Sequence, residues 1–234
     1  MKWVRRGLGL ILLPAIWGAG RSLVSILIEG SKTDTISFWI PLLCGLCGCL
    51  ALGLFIPGMQ RVYVIGHELT HALTGLCCGA KILGMKLHAR SGSVTLTKSN
   101  MVIILSPYLL PFYTLLVLIV CLAIRLFWPN LHEPEGLWIG LVALTWGFHI
   151  MYTASTLFST LQPDTRPYGY LFSHVLIVLV NLLTLVGAMG FATHLPCQRI
   201  AQTLSSHCLQ TYQWCWATGC HIWLWMIATI STCC

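Results

Sequence analysis

The most informative shortage in this 234-residue chain is charge, because only 8% of its residues are Asp, Glu, Lys or Arg. Soluble domains carry charge on about a quarter of their residues. With 57% apolar residues and a mean hydropathy of +0.82, the chain has too few charges to cover a water-facing surface. This composition excludes a soluble enzyme, a nucleic-acid-binding protein and a disordered protein. It indicates a multi-pass protein whose solvent is the lipid bilayer.

Acidic residues are the scarcest of the charged types. The sequence has six of them, and any carboxylate chemistry must use one of this set: Glu29, Asp34, Glu68, Glu133, Glu135 and Asp164. Thirteen basic residues raise the net charge to +7, but they are scattered between apolar runs. That distribution is typical of short loops at lipid headgroups and does not predict a nucleic-acid partner.

Apolar runs of about 20 residues, the length that crosses a bilayer, recur along the whole chain. We predict six spans, at 7–28, 36–57, 60–79, 101–127, 137–161 and 168–192, with a weaker seventh candidate at 209–230. The pattern predicts an all-α polytopic membrane protein. Its parts are N-terminal spans over 1–57, a membrane-embedded core over 58–192, and a Cys- and Trp-rich tail over 193–234 that holds the seventh candidate.

One segment between the third and fourth spans departs from the helical pattern. Two short runs, 82–88 and 93–97, flank a turn that contains Gly92, and this arrangement predicts a β-hairpin. A hairpin cannot lie bare in hydrocarbon, because the amides on its edge would have no hydrogen-bond partner. We therefore expect it at the membrane interface or in a cleft between helices. There it either caps the bundle or adds a substrate strand to its edge.

The motif that carries chemistry is H-E-x-x-H over residues 67–71, in the third predicted span. Residues four apart share one face of a helix, so His67 and His71 can bind one Zn²⁺. Glu68 then lies beside the metal and can take a proton from a water molecule as general base. Two His and one Glu inside an apolar span are costly in lipid, which favours a functional site. The alternative is a chance cluster whose side chains are satisfied by hydrogen bonds between helices.

A catalytic zinc site needs a third protein ligand, and the short list of acids points to Asp164. This residue lies between Pro163 and Pro167, at the entry to the sixth predicted span. Irregular backbone of this kind is tolerated at membrane depth where it lines a wet cavity. The alternative is that Asp164 caps the N-terminus of the sixth helix.

These features together resemble the site-2 protease family of intramembrane zinc metalloproteases. The resemblance rests on the H-E-x-x-H motif in a span, the hairpin that follows it, Ser106-Pro107-Tyr108, and a later Asp at a helix start, and it covers about 58–192. It implies a zinc site within the bilayer, with Asp164 as the third ligand. The family's Leu-Asp-Gly motif is replaced here, because Pro163 precedes Asp164 and the next glycine is Gly169. The chain therefore resembles a divergent branch.

Polar residues elsewhere in the spans allow simpler interpretations. His149, in the middle of the fifth predicted span, could be a metal ligand, a proton relay or a stabiliser of an oxyanion. A hydrogen bond to a neighbouring helix is the favoured interpretation. His174 and Asn181 are seven residues apart and fall on one helix face, which indicates a packing stripe.

The sequence therefore predicts a membrane-embedded zinc metalloendopeptidase with Glu68 as the general base and His67, His71 and Asp164 as metal ligands. We expect its substrate to be a membrane-anchored protein whose helix must unwind before cleavage. The alternative is a transporter or metal-binding membrane protein whose His and acidic residues line an ion path. Glu68 separates the two hypotheses, since a carrier needs the ligands but no general base.

Overall fold

The computed structural model describes residues 2–32, 34–88, 91–131, 136–159 and 167–232, apart from the side chains of residues 2, 159 and 224–232. Within these ranges the chain forms eight helices and one two-stranded antiparallel sheet. In chain order the elements are α1 (Lys2–Gly30), α2 (Thr35–Phe55), α3 (Met59–Cys77), β1 (Ile82–Leu87), β2 (Gly92–Leu96), α4 (Met101–Leu109), α5 (Phe112–Phe127), α6 (Leu137–Ser159), α7 (Tyr170–Ala192) and α8 (Cys197–Thr232).

Four of the described helices are long and apolar enough to cross a membrane, namely α1, α2, α6 and α7. The pair α4 and α5 would make a fifth span if it crosses as one bent unit. The prediction of membrane-spanning helices is thus confirmed in its coarse form, but six or seven spans are not confirmed. The motif helix α3 is not among the four, because its first turn carries Gln60 and Arg61 and its centre carries the polar motif.

Polar side chains define where two of the helices begin. Asp34 caps α2 by accepting hydrogen bonds from the backbone N–H groups of Ile36 and Ser37 at 2.9 and 3.2 Å. The hydroxyl of Ser37 also donates a hydrogen bond to this carboxylate. This bond is the main reason why the pKa of Asp34 lies below its ordinary value. Asn100 caps α4 in the same way, because its side-chain oxygen accepts from the N–H of Ile103 at 2.9 Å.

The predicted fourth span is broken in the structure. Helix α4 ends at Leu109 and α5 begins at Phe112, with a bend of 74° between them. Pro111 causes the break, since its ring clashes with an α-helical conformation of the preceding residue. Leu110 accordingly has extended backbone angles, with φ −109° and ψ 112°.

Close packing of small residues holds the bundle together. Helix α1 packs along α7 and α8, and α2 packs along α6. Gly45 of α2 lies so close to α6 that an added Cβ would be 2.3 Å from the carbonyl oxygen of Gly140. Such contacts drive helix association in lipid, where apolar burial alone gives little advantage. The largest buried cluster joins α1, α2, α5, α6 and α7 around Val142 and Val186.

The hairpin predicted after the motif helix is confirmed. Its strands pair antiparallel, with Lys86 opposite Ser93 and Leu87 opposite Gly92, and the pairing is irregular between Ile82 and Gly84. The hairpin packs against α3, where Leu96 contacts the backbone of Gly75. The fold therefore places β2 beside the helix that carries the H-E-x-x-H motif.

Candidate metal centre

The two motif histidines lie side by side on one face of α3, as the spacing predicts. The centres of the His67 and His71 rings are 5.0 Å apart, and the ring planes are nearly perpendicular. Two imidazoles bound to one tetrahedral Zn²⁺, at about 2.0–2.1 Å each, bring their ring centres to about 5 Å from each other. The spacing of the pair therefore fits one shared metal ion without a change of backbone.

A backbone contact fixes the orientation of His71. Its Nδ1 donates a hydrogen bond to the carbonyl oxygen of Ile103 at 2.8 Å. This bond places the ring proton on Nδ1 and leaves the lone pair on Nε2, which is the usual arrangement of a metal-binding histidine. The acceptor is itself well held, because Asn100 caps the helix that carries it and Ser106 also donates to it at 2.9 Å.

His67 has a different environment. Its Nδ1 is buried and has no hydrogen-bond partner among the residues that the structure describes. The ring lies against Tyr63 and Tyr108, with centre-to-centre distances of 5.8 and 5.1 Å. A buried ring nitrogen without a partner lowers stability, and coordination of a metal ion would remove that cost. This orphaned atom and the fixed tautomer of His71 are the two observations that fit a metal.

Glu68 lies between α3 and the hairpin. Its side chain is 5% exposed and faces the first residue of β2. A Cβ added to Gly92 would be 2.5 Å from Cγ of Glu68 and 2.8 Å from Oε1. A larger residue at position 92 would therefore force the Glu68 side chain or the strand to move. The sequence identifies Gly92 only as a turn residue, and nothing in the sequence pairs it with Glu68.

A cavity of about 870 Å³ opens in front of the motif. His67, Glu68 and His71 line one wall, residues 91–96 line another, and Tyr152, Ser155 and Thr156 of α6 also contribute. Since β2 pairs with β1 along one edge only, and the described sheet has two strands, its second edge has no strand partner there. The cavity is large enough for a short extended peptide.

His149 lies behind the motif and not in front of it. Its Nε2 is 3.5 Å from the hydroxyl oxygen of Thr153 in the same helix, and its ring centre is 6.5 Å from that of Tyr63 on α3. A hydrogen bond from His149 to a neighbouring helix stays a prediction. Asn181 donates to the carbonyl oxygen of Tyr108 at 2.8 Å, so it joins α7 to the turn of α4 that contacts His67.

The sequence assigned Asn181 to a packing stripe together with His174, and the structure separates the two. Asn181 is buried, whereas His174 is partly exposed and contacts the carbonyl oxygen of Tyr170 in its own helix. The supporting role of Asn181 was not predicted. The available signal was a lone amide in a strongly apolar span, where an unpaired polar group is costly.

Asp164, the predicted third ligand, lies outside the described residues, as do Glu133 and Glu135. Within the described ranges there is no group of three His, Cys, Asp or Glu side chains arranged to hold a metal ion. The described part of the site thus consists of His67, Glu68 and His71. Thr156, on the cavity wall, precedes Asp164 by eight residues in the sequence.

No protein-family model, curated protein or solved structure matches this chain.

Proposed function

We propose that this chain is a multi-pass membrane zinc metalloendopeptidase that cleaves membrane-anchored proteins. The observation that carries the proposal is the pair of motif imidazoles 5.0 Å apart, beside a buried glutamate and facing a cavity of about 870 Å³. The resemblance of the motif, the hairpin and the later Asp164 at a helix start to the site-2 protease family agrees with this proposal. His67, His71 and Asp164 would hold the metal.

When bound, Zn²⁺ supplies a Lewis acid that polarises the scissile carbonyl group and makes a nearby water molecule more acidic. The protein's own residues perform the remaining steps. Glu68 accepts a proton from the attacking water on a carboxylate oxygen, and it later donates that proton to the leaving amine. Burial between α3 and Gly92 keeps this carboxylate in one orientation, next to the wall where the substrate would lie.

We further propose that the second edge of β2 holds the substrate in an extended conformation. A helical peptide bond is hidden by its own hydrogen bonds, so a membrane-anchored substrate must unwind before cleavage. Its released amides find little water at membrane depth and gain from pairing with a strand edge. Residues 91–96 line the cavity opposite the motif, which gives the unwound segment a place next to Glu68.

The first experiment is to measure the zinc content of the purified full-length chain in detergent. We expect one zinc per chain in the wild type and loss of that zinc in His67→Ala. The matched control is His221→Ala, which removes an exposed histidine of α8. A wild-type protein purified in zinc-containing medium that holds no zinc, or a His67→Ala variant with wild-type zinc content, would contradict the proposal.

A second experiment separates a protease from a metal carrier. The wild type is reconstituted in proteoliposomes with a panel of single-span model proteins that carry a different tag at each end. Cleavage near the span of at least one of them, blocked by a zinc chelator and restored by added zinc, is the result we expect. Zinc binding with no cleavage of any panel member would favour the ion-path alternative.

A further inference from the structure

A second candidate site lies apart from the motif, where α1 and α7 begin. The two helices run side by side in the same direction, because Gly9 contacts Leu171 and Phe172 while Gly30 contacts Thr193. A groove of about 270 Å³ lies at their shared start, and it is lined by Arg5, Arg6 and residues 167–172. This groove shares no residue with the candidate metal centre.

With α1 and α7 taken as membrane spans, their lengths put the groove at the level of the headgroup layer. The span of α1 covers 28 residues, or about 42 Å, whereas that of α7 covers 23 residues, or about 34 Å. The hydrocarbon core is about 30 Å thick, and headgroups extend the bilayer to about 40–45 Å. Since α1 and α7 are level at Gly9 and Phe172, the extra length of α1 lies before Gly9 and reaches past the hydrocarbon at the end that carries Arg5 and Arg6.

The side chains of the groove have the chemistry of a phosphate site in that layer. Arg5 donates to the carbonyl oxygen of Pro167, and its guanidinium lies 5.3 Å from the centre of the Tyr168 ring. The guanidinium of Arg6 lies 5.1 Å from the ring of Trp3. Aromatic side chains at this depth are typical of the membrane interface. These contacts hold both guanidinium groups at the surface, where they can form paired hydrogen bonds with a phosphate group.

Charge and apolar surface around the groove indicate which kind of phosphate it takes. Among the described residues that line it, Arg5 and Arg6 are basic and none is acidic. Immediately toward the membrane centre, Leu8 and Leu171 expose apolar side chains, at 45% and 41%. If a phospholipid bound its phosphate to the arginines, its acyl chains would lie along these leucines.

We propose that this groove binds the headgroup of an anionic phospholipid. A positively charged pocket between membrane helices is a recognised form of lipid site. The proposal does not depend on the metal centre, and it assigns a role to the basic N-terminal residues of the chain. Free phosphate offers the same oxygens but no acyl chains, so the test must distinguish the two sources.

The test uses the full-length chain in detergent and counts bound lipid by native mass spectrometry during titration with phosphatidylglycerol or phosphatidylcholine. We expect saturable binding of phosphatidylglycerol and at least about fivefold weaker binding of phosphatidylcholine. Arg6→Gln should weaken phosphatidylglycerol binding about fivefold, since one basic residue near an anionic lipid surface contributes about that factor. Arg6 is the better position for substitution, because Arg5 also bonds to the backbone of Pro167.

The matched control is Lys32→Gln, which removes one exposed positive charge just beyond the far end of α1 and should leave binding unchanged. Equal losses in Arg6→Gln and Lys32→Gln would overturn the proposal, because they would indicate general charge attraction. Equal binding of the two lipids would also overturn it. Displacement of phosphatidylglycerol by millimolar inorganic phosphate would assign the groove to free phosphate instead.

Discussion

Replacing Gly92 with alanine tests whether the hairpin positions the general base. The added Cβ would lie 2.5 Å from Cγ, 2.9 Å from Cδ and 2.8 Å from Oε1 of Glu68. Carbon atoms in ordinary contact are about 3.5–4.0 Å apart, so the glutamate or the strand must move by about 1 Å. A displacement of this size at a catalytic group costs about 100-fold in rate. We therefore expect Gly92→Ala to cleave a model substrate about 100-fold more slowly than the wild type.

The assay compares cleavage rate with zinc content in the same preparation. Zinc content should stay at the wild-type level, because the three atoms nearest to the added Cβ all belong to Glu68 and none to a metal-binding histidine. The matched control is Gly84→Ala in the other strand of the hairpin, where an added Cβ has nothing within 4 Å. We expect this control to cleave at the wild-type rate. Wild-type cleavage by Gly92→Ala, or an equal loss in both variants, would refute the argument that Gly92 holds Glu68 in place.

Three further predictions concern the third ligand, the substrate edge and the support of the site. Asp164→Ala should weaken zinc binding, whereas Glu133→Ala should not, as measured by competition with a chelator. Equal zinc affinity in the two variants would remove Asp164 from the ligand set. Single prolines from Ser93 to Thr97 each remove one backbone N–H donor from β2. At the positions whose N–H faces the cavity, we expect slower cleavage with zinc retained. Wild-type cleavage by every proline variant would leave the hairpin only a capping role. Asn181→Leu removes the donor to the carbonyl oxygen of Tyr108 and should lower the free energy of unfolding by about 1–3 kcal/mol. The expected readout is a lower Tm of the purified protein. An unchanged Tm would contradict the supporting role of Asn181.

Local chemistry explains why the sequence predicted some elements well. The hairpin depends on two short strand-forming runs and a glycine turn, and all of these are visible within sixteen residues of sequence, at 82–97. The face shared by His67 and His71 follows directly from the helical repeat. Both features are confirmed because neighbouring residues determine them.

The number of spans is harder to predict, because the length of an apolar run does not show whether its helix is broken. The run at 101–127 is long enough for one span, and the structure divides it at Leu110 and Pro111. The proline was a visible signal for this division. In the tail, the structure replaces the candidate at 209–230 by one longer helix from Cys197, which packs on α1.

The sequence alone does not predict contacts between distant segments of the chain. The fit of Glu68 against Gly92 and the hydrogen bond from Asn181 to Tyr108 join residues on different elements. Neither pair has a spacing that a single sequence can reveal. The same limit applies to Asp164, which was selected by elimination among six acids and remains a prediction.

The most direct test of the proposed function is the substitution Glu68→Gln, with zinc content and cleavage measured on the same sample. Glutamine has nearly the shape of glutamate and leaves both histidines in place, but it cannot accept a proton from water. We predict wild-type zinc content and a cleavage rate lower by about 10²–10⁴-fold, the usual contribution of a general base. Glu29→Gln, at an exposed ion pair with Arg199, is the control and should cleave normally. A Glu68→Gln protein that binds zinc and cleaves at the wild-type rate would contradict the proposed mechanism.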